Sequence, residues 1–386
     1  MSRETGHIFG LGLIPEAVYG TPLAPSGTPK NYEQIEKEGY ELANYTSTPV
    51  TNAGYSTGGD YPTKAKVSTH DVEFSFSNER MTFQNIGRRL LAAFGGYSVV
   101  PNSPVAGTYT HTFTPLSPQV ETELPSFSYV EKIGEPALDA DIIHDIAYPG
   151  AKIETFNLSN PASLDNGAFL LGSSSWRGSG KQLGSAGTIQ TGSGVNFYKT
   201  TIHAITEDLK AENFPSTSSA VVNLYPNVSQ GGTAVPLACD FRGFNFNHNN
   251  NLLTGQGYMG CAVLQDLTDP DSGFVRGKLP KGVSTTDLSL MFLVTKALSQ
   301  GFNPMNRFRK QTVFSLRLTW TGGIITGATP YSLVFNANKL TTRELSIGSE
   351  DSLDTYSVTA ETLTPGVSQP YSVVLVNNVP SYLTLV

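Results

Sequence analysis

The stretch VSTHDVEFSF, from Val67 to Phe76, returns later in the chain as VSTTDLSLMF, from Val283 to Phe292. The residue numbers of the two copies differ by 283 − 67 = 216, which places Val72 against Leu288. In both copies every second residue is apolar, which is the period of a β-strand with one buried face. The repeat therefore predicts two half-buried strands in a chain that contains a duplicated unit.

A second echo keeps the same order along the chain. KIETFNLS, from Lys152 to Ser159, is similar to SLDTYSVT, from Ser352 to Thr359, and here the residue numbers differ by 353 − 153 = 200. Changes in loop length can absorb the discrepancy between the two offsets. Two echoes in the same order predict an ancient duplication of one β-rich unit.

Length and composition suit two β domains. The chain has 386 residues with 38 glycines, 24 prolines and only 15% charged residues, a profile typical of short strands joined by turns. We expect an all-β fold built from two related units of roughly 150 residues each.

The predicted boundaries follow changes in composition along the chain. They are an N-terminal arm over residues 1–35, a first β domain over 36–175, connecting loops rich in Gly, Ser and Thr with short strands over 176–235, and a second β domain over 236–386. Because the arm is rich in proline and weakly periodic, we expect it to be extended and to order only against a neighbouring chain.

Charge and cysteine content exclude several classes of protein. The net charge of −7 offers no basic face for stable nucleic-acid binding. Cys239 and Cys261 stand in neither a CxxC nor a metal-binding spacing, so we expect buried thiols in a reducing compartment. We find neither a signal peptide nor an apolar run of about 18 residues, and we expect no membrane anchor.

A single convincing helix is predicted from Met81 to Phe94, directly after the first copy of the repeated strand. Its apolar residues recur at helical spacing and form a predicted packing face. That face consists of Phe83, Ile86, Leu90 and Phe94, with Ala93 beside them. Arg88 and Arg89 are expected on the opposite face.

Capping residues support this helix and argue against a second one. Asn78 or Thr82 can cap its start, and Gly95 can end it. After the second copy of the strand, the segment TKALSQGFNP carries Gly301 and Pro304 where a third helical turn would lie. We therefore expect the helix to be lost in the second unit.

Three stretches carry residue types that could support chemistry. A dense titratable cluster could form a metal site or an acid–base pair, or only a solvated acidic loop; it consists of Asp139, Asp141, His144 and Asp145. A faint calcium loop, formed by Asp266, Asp269, Asp271 and Gly273, has Gly277 where the closing glutamate belongs. GSGKQ, residues 178–182, has Gln182 where a phosphate loop needs Ser or Thr, so we interpret it as a flexible loop. We expect no enzyme, metal site or cofactor.

Several motifs follow one another along the chain: GLIPEAVYGTP from Gly12 to Pro22, VSTHDVEFSF with the later RRLLAAFG, YTHTFT, LPSFSYVEKIG, GAKIETFNLS, VSTTDLSLMF and PYSVVLVNN. Taken in this order, they resemble one family, the major tail tube proteins of bacteriophages with long, non-contractile tails, here in a two-domain form. The resemblance covers most of the chain and is weakest over residues 172–235. It implies an all-β fold with one flanking helix, made of two tandem, related tail-tube-type domains of the β-sandwich or β-barrel kind.

The resemblance implies a structural virion protein that forms stacked rings, and thus the tube through which DNA leaves the particle. It implies synthesis in the host bacterial cytoplasm and a final place in the virion tail. The implied partners are further copies of the chain, other tail proteins at the tube ends, and double-stranded DNA in transit without specific binding. The alternatives are a tail-tip, fibre or decoration protein and, outside the virion, a carbohydrate-binding or glycoside-cleaving β protein.

Two further expectations concern such a tube. Asp71, Glu73 and Asp287 alternate with the apolar residues of the repeated strands, so they either line an acidic channel or face outer solvent. Related tubes with one unit per chain imply six-fold rings, so a chain with two units predicts three chains in a pseudo-six-fold ring. Six chains in a thicker wall are the alternative.

Overall fold

The computed structural model describes most of the chain in segments. These are residues 8–20, 32–34, 40–52, 64–102, 105–116, 123–133, 144–160, 169–184, 202–203, 214–216, 220–237, 241–254, 262–266, 269–294, 298, 301–350, 353–363 and 369–383. Strands dominate them, and the prediction of an all-β fold with a helix beside the sheet is confirmed.

The described segments contain twenty-one strands and two α-helices. The strands of the first half are β1 (Ile8–Pro15), β2 (Tyr32–Gln34), β3 (Tyr40–Asn52), β4 (Lys64–Arg80), β5 (Gly95–Pro101), β6 (Tyr109–Pro115), β7 (Phe127–Ile133), β8 (His144–Asn160), β9 (Leu171–Arg177), β10 (Leu183–Gly184) and β11 (Ile202–His203). The later strands are β12 (Ala220–Tyr225), β13 (Val235–Pro236), β14 (Phe241–Asn249), β15 (Ala262–Asp266), β16 (Asp269–Arg276), β17 (Thr285–Leu293), β18 (Phe314–Thr326), β19 (Thr329–Glu350), β20 (Leu353–Thr362) and β21 (Tyr371–Asn377). The helices are α1 (Ile86–Phe94) and α2 (Pro304–Lys310).

An eight-stranded sheet runs through both halves of the chain in the order β3, β4, β9, β8, β14, β17, β20, β19. Every neighbouring pair in it is antiparallel. Alternate residues bury one face, as Phe74, Trp176, Phe156, Phe246 and Leu290 show. The predicted alternation of the two repeated strands, β4 and β17, thus packs their apolar side chains into the core.

The long strands β8 and β19 each belong to two sheets. The first part of β8 pairs with β7 and β10, whereas its last part pairs with β9 and β14. In the same way, the first part of β19 pairs with β18 and β21, and its last part pairs with β20. Two layers that share long strands give a β-sandwich-like arrangement.

The strand pairings of the first half recur in the second half. The chain of neighbours β2, β1, β7, β8, β9, β4, β3 is matched by β13, β12, β18, β19, β20, β17, β14, with every pair antiparallel. In this correspondence β4 matches β17, as the first sequence echo predicts. The second copy begins at β12, within the stretch that the sequence assigns to connecting loops.

The second echo aligns strands that are not equivalent. Residues 152–159 lie in β8, and residues 353–359 lie in β20, but the pairing order matches β8 with β19 and β9 with β20. Strands with alternating apolar residues resemble one another at any even shift, so a short match between them does not identify equivalent positions.

The arm predicted over residues 1–35 is wrong for residues 8–20. β1 pairs with β7 and β2, and Leu13 and Ile14 are fully buried. Glu16 then accepts hydrogen bonds from the backbone N–H groups of Gly20 and Gly150, both at 2.9 Å. Burial raises the pKa of this carboxyl group. These residues therefore belong to the fold of the chain itself.

Helix α1 is shorter than predicted and is buried on nearly every side. Its start is set by Thr82 and Asn85, each of which accepts a hydrogen bond from the backbone N–H of the other, at 3.0 and 2.8 Å. It ends at Gly95, whose φ of 77° suits glycine. The predicted packing residues Phe83, Ile86, Leu90 and Phe94 are all fully buried.

The prediction that Arg89 lies on a face away from the packing residues is wrong. Arg89 is buried, and its guanidinium group donates from Nη2 and Nε to the two carboxylate oxygens of buried Glu79, at 2.7 and 3.0 Å. Arg88 is half-buried and donates to the carbonyl oxygen of Leu13 at 3.1 Å. Buried ion pairs of this geometry lock two elements in one arrangement.

The second unit contains a helix that the sequence pattern argues against. Pro304 stands at the first helical position, where its missing N–H costs nothing, and Asn303 Oδ1 accepts a hydrogen bond from the N–H of Asn306 at 3.0 Å. Subtracting the offset of the first echo gives 304 − 216 = 88 and 310 − 216 = 94, within α1. Unlike α1, this helix buries only its proline.

Phe94 at the end of α1 joins the cores of the two copies. Its ring contacts Phe156 of the first copy and Phe246, His248 and Tyr371 of the second, with centroid distances of 5.0 to 6.3 Å. One contiguous buried cluster accordingly contains residues from both halves. The two copies share one core, so the structure does not separate them into two independent domains. That they arose by duplication remains a prediction.

We expect the Glu79–Arg89 pair to be essential for stability. Glu79→Met removes the carboxylate that pairs with the buried guanidinium group of Arg89 and should lower the free energy of unfolding by about 3–5 kcal/mol. The double substitution Glu79→Met with Arg89→Met removes both charges and should cost clearly less than the sum of the two single changes. Urea denaturation of the four proteins tests this, and additive effects would contradict it.

His248 should make the fold sensitive to acid. It is buried, with Nδ1 2.8 Å from Tyr371 Oη and Nε2 3.0 Å from Asn250 Oδ1, and burial lowers its pKa to about 4. Between pH 6.5 and about 4 the unfolded chain binds a proton that the folded chain does not, so stability falls as the pH drops through this window. From pH 7 to 5 we expect a loss of about 2 kcal/mol from this residue.

The matched variant is His248→Gln. It should lose less stability than the wild-type chain between pH 7 and 5 in urea denaturation, whatever its stability at pH 7. Equal losses in the two proteins would contradict the assignment.

Candidate functional site

The eight-stranded sheet presents a polar face opposite its buried one. Serine, threonine and asparagine occupy most of its positions, and their side chains are half-buried or exposed. Representative residues are Asn157, Ser159, Ser175, Asn245, Asn247 and Ser289. We call this surface the polar face; it is hydrophilic from β3 at one end to β19 at the other.

Two of the three acidic residues predicted for a channel wall lie in one ionic network on the polar face. Arg177 of β9 donates to Glu154 at 2.9 Å and contacts Glu73 and Asp71. Arg276 of β16 donates to both carboxylate oxygens of Asp71, at 2.6 and 2.9 Å.

The basic members of this network are held in their charged form. Burial works against the charge of Arg177, but the three carboxylates around it outweigh burial and raise its pKa. The hydrogen bonds to Asp71 raise the pKa of Arg276. Neither arginine was singled out in the sequence, although Arg177 ends the alternating stretch SSSWR, a signal for a strand.

The third predicted residue, Asp287 of β17, lies opposite Glu361 of β20 and accepts a hydrogen bond from Arg343 at 3.3 Å. The described carboxylates of the polar face include Asp71, Glu73, Glu154, Asp287, Glu344 and Glu361, and four of them pair with Arg177, Arg276 or Arg343. Half-buried Arg80 of β4 lies on the same face, opposite Leu171. Much of the charge on the polar face is therefore paired.

Most of the other residues that could support chemistry lie outside the part of the chain that the structure describes. Asp139 and Asp141 lie outside the described residues, as do the side chains of His144, Asp145, Asp266, Asp269 and Asp271. Cys239 and Cys261 also lie outside them. Within the described segments, no group of three or more His, Cys, Asp or Glu side chains is close enough to hold a metal ion. The two described helices are too short to cross a membrane.

The GSGKQ stretch is a buried corner rather than a flexible loop. Ser179 is buried and donates from Oγ to the carbonyl oxygen of Pro149 at 2.7 Å. Gly180 has a φ of 86°, and a Cβ there would clash with the carbonyl oxygen of His70. The corner fixes the end of β9 against β4, which places Arg177 in its network.

In the part of the chain that the structure describes, the two ends of the eight-stranded sheet are open edges. Among the described pairings, β3 pairs on one side only, with β4, and the last part of β19 pairs on one side only, with β20. Ile347 on β19 points to the core side of the sheet, opposite buried Tyr356, yet 56% of its surface is exposed. Open edges with exposed apolar residues favour pairing with another chain.

Comparison with known proteins does not identify the chain. No protein-family model matches it, and no curated protein matches its sequence. The polar face and the two open edges are therefore the features from which a function can be inferred.

Arg177→Met removes the positive charge that offsets the repulsion between the carboxylates of Asp71, Glu73 and Glu154. We expect a loss of about 1–2 kcal/mol in the free energy of unfolding at low salt, and a smaller loss in about 1 M NaCl, where charge interactions are screened. Arg343→Met is the control, since its pair with Asp287 is mostly exposed and should contribute less than about 0.5 kcal/mol. Equal effects of the two substitutions at both salt concentrations would contradict this account of the network.

Proposed function

We propose that the chain is a structural virion protein of the phage tail, a tube protein that assembles into stacked rings around a channel for double-stranded DNA. The observation that carries the proposal is the continuous eight-stranded sheet, with four strands from each copy, one buried face, one polar face and two open edges. Such a sheet suits the wall of a closed ring.

The number of strands supports ring closure. An even number of antiparallel strands leaves the two edge strands, β3 and β19, pointing in opposite directions. The last strand of one chain can then pair antiparallel with the first strand of the next by simple rotation about a common axis. Repeated rotation closes a ring with no free edge.

The width of the resulting channel favours three chains per ring. Three chains contribute 3 × 8 = 24 strands, and strands about 4.8 Å apart give a backbone circle roughly 37 Å across before tilt. After space is left for inward side chains, a duplex roughly 20 Å wide fits. Six chains would double the diameter and leave a channel far wider than the duplex. Three chains with six related units also give the pseudo-six-fold ring.

The polar face is the proposed channel lining. Ser, Thr and Asn side chains keep this face hydrated, and its carboxylates repel phosphate groups, so that DNA slides past without specific binding. Asp71, Glu73 and Asp287 belong to this lining, with their charges partly balanced by arginines. In this proposal the partners are other copies of the chain and, at the tube ends, other tail proteins. The chain is made in the host cytoplasm and ends in the virion tail.

We expect the purified chain to form rings or tubes without nucleotide, metal or cofactor. Electron microscopy with image reconstruction should show three-fold symmetry with pseudo-six-fold features, and the polar face toward the channel. A chain that remains monomeric at high concentration and has no place along isolated tails would refute the proposal. True six-fold symmetry with one whole chain per repeat would refute the three-chain ring, and a lumen dominated by Lys and Arg would refute the acidic lining.

A further inference from the structure

We infer that β19 of one chain pairs antiparallel with β3 of the next, with Gly348 opposite Thr46 of the neighbouring chain. The inference rests on the proposed assembly into rings and adds the two contacting strands and their register. The register is derived from a strand pair within the chain, where a strand of the first copy pairs with a strand of the second. We expect two neighbouring chains to be joined by the equivalent strands.

The internal template is the pair formed by β8 and β14. The last part of β8 belongs to the first copy and β14 opens the eight-stranded sheet in the second copy. They pair antiparallel with Asn157 opposite Asn247 and Thr155 opposite Asn249, so paired residue numbers sum to 404. In the correspondence between copies, β8 matches β19 and β14 matches β3. The equivalent of this seam between chains is therefore β19 against β3.

The register of β3 follows from its partner β4. In the first echo, Asp71 of β4 matches Asp287 of β17. Thr46 lies opposite Asp71, and Asn247 lies opposite Asp287. Thr46 is therefore equivalent to Asn247, and their residue numbers differ by 247 − 46 = 201. The neighbouring positions keep this difference, since Tyr45 and Phe246 lie opposite the matched pair Val72 and Leu288.

The register of β19 follows from β20. Phe76 of β4 lies opposite Ser174 of β9, and its equivalent Phe292 lies opposite Tyr356 of β20. This match makes Ser173 the equivalent of Thr355, one position earlier on each strand. Asn157 lies opposite Ser173, and Gly348 lies opposite Thr355. Gly348 is therefore equivalent to Asn157, and their residue numbers differ by 348 − 157 = 191.

In the internal pair, the numbers of two paired residues sum to 404. Applying the two differences to β3 and β19 gives a sum of 404 − 201 + 191 = 394 for residues paired between chains. Thr46 then faces Gly348 of the neighbouring chain, and Ser47 faces Ile347 of the neighbouring chain. In this register the polar face continues without a step from one chain to the next, because residues opposite each other on antiparallel strands share a face.

Exposure on β19 agrees with this assignment. Ile347 is 56% exposed, whereas its equivalent in the internal seam, Phe156, is fully buried. Phe156 has β14 beside it and Phe94 packed against its ring, whereas Ile347 has no described strand on that side. Pairing with β3 of another chain supplies the missing neighbour.

Disulfide cross-linking tests the edges and the register together. In a background in which Cys239 and Cys261 are replaced by alanine, Thr46→Cys with Gly348→Cys should form disulfides between chains under mild oxidation of assembled material. A Cβ at Gly348 meets its nearest atom, Thr355 Oγ1, at 3.7 Å, so the cysteine fits. Ser47→Cys with Ile347→Cys samples the opposite face in the same register and guards against failure of the first variant to fold.

Two control variants test whether cross-linking depends on the register and whether a paired position can form a disulfide. Thr46→Cys with Glu344→Cys uses the same strands about four positions out of register, about 13 Å apart, and should not cross-link. Asn157→Cys with Asn247→Cys samples the equivalent position of the internal seam and should form a disulfide within each chain, without joining chains. Non-reducing gels should show a ladder that ends at three linked chains for the in-register pairs only.

The outcomes separate the inference from the proposed function. Tubes that form without in-register cross-links, or that cross-link through the out-of-register pair, overturn the strand pairing and leave the tube function standing. Absence of rings and tubes in every variant and in the wild-type chain overturns both. Cross-links in both in-register variants, with none in the out-of-register control, support the pairing.

Discussion

The pairing of β8 with β14 is the constraint on which the rest of the structure depends. It joins the two copies of the β unit in a single sheet, because six consecutive residue pairs connect β8 of the first copy to β14 of the second. Asn250, just after β14, reinforces the seam by donating from Nδ2 to the carbonyl oxygens of Ala93 and Ile153, at 3.0 and 3.2 Å. One buried side chain thus ties α1, β8 and β14 together.

The helices of the two copies differ in burial, since α1 is almost wholly buried and α2 buries only its proline. Helix α1 lies beneath the internal seam, where Phe94 packs against rings from both copies, so its apolar stripe is required. At the equivalent position the second copy has Lys310, which is exposed at the end of α2. The internal seam lies within one chain and can be apolar throughout. In the proposed ring, the equivalent seam lies between chains and faces water before assembly, which disfavours a large exposed aromatic residue there.

The arginines of the polar face pair with carboxylates on neighbouring strands, as Arg177 does with Glu154 and Arg276 does with Asp71. In the proposed tube, this pairing weakens the attraction of these arginines for phosphate groups. Buried ionic groups elsewhere have a different role. The Glu79–Arg89 pair and the hydrogen-bonded carboxylate of Glu16 hold α1 and β1 in place within the core.

The sequence by itself determined the β class, the alternation of Val72, Phe74 and Phe76, the apolar stripe of α1 and the duplication that relates β4 to β17, because each of these is written in short stretches of the chain. Only the tertiary structure decided which strands pair. It matched β8 with β19 instead of β20, placed β1 in the sheet, buried Arg89 against Glu79 and started α2 at Pro304. Strand partners and ion pairs are contacts between residues far apart in sequence, and alternating strands are locally interchangeable, so pairing order and register follow from the packing of the whole core.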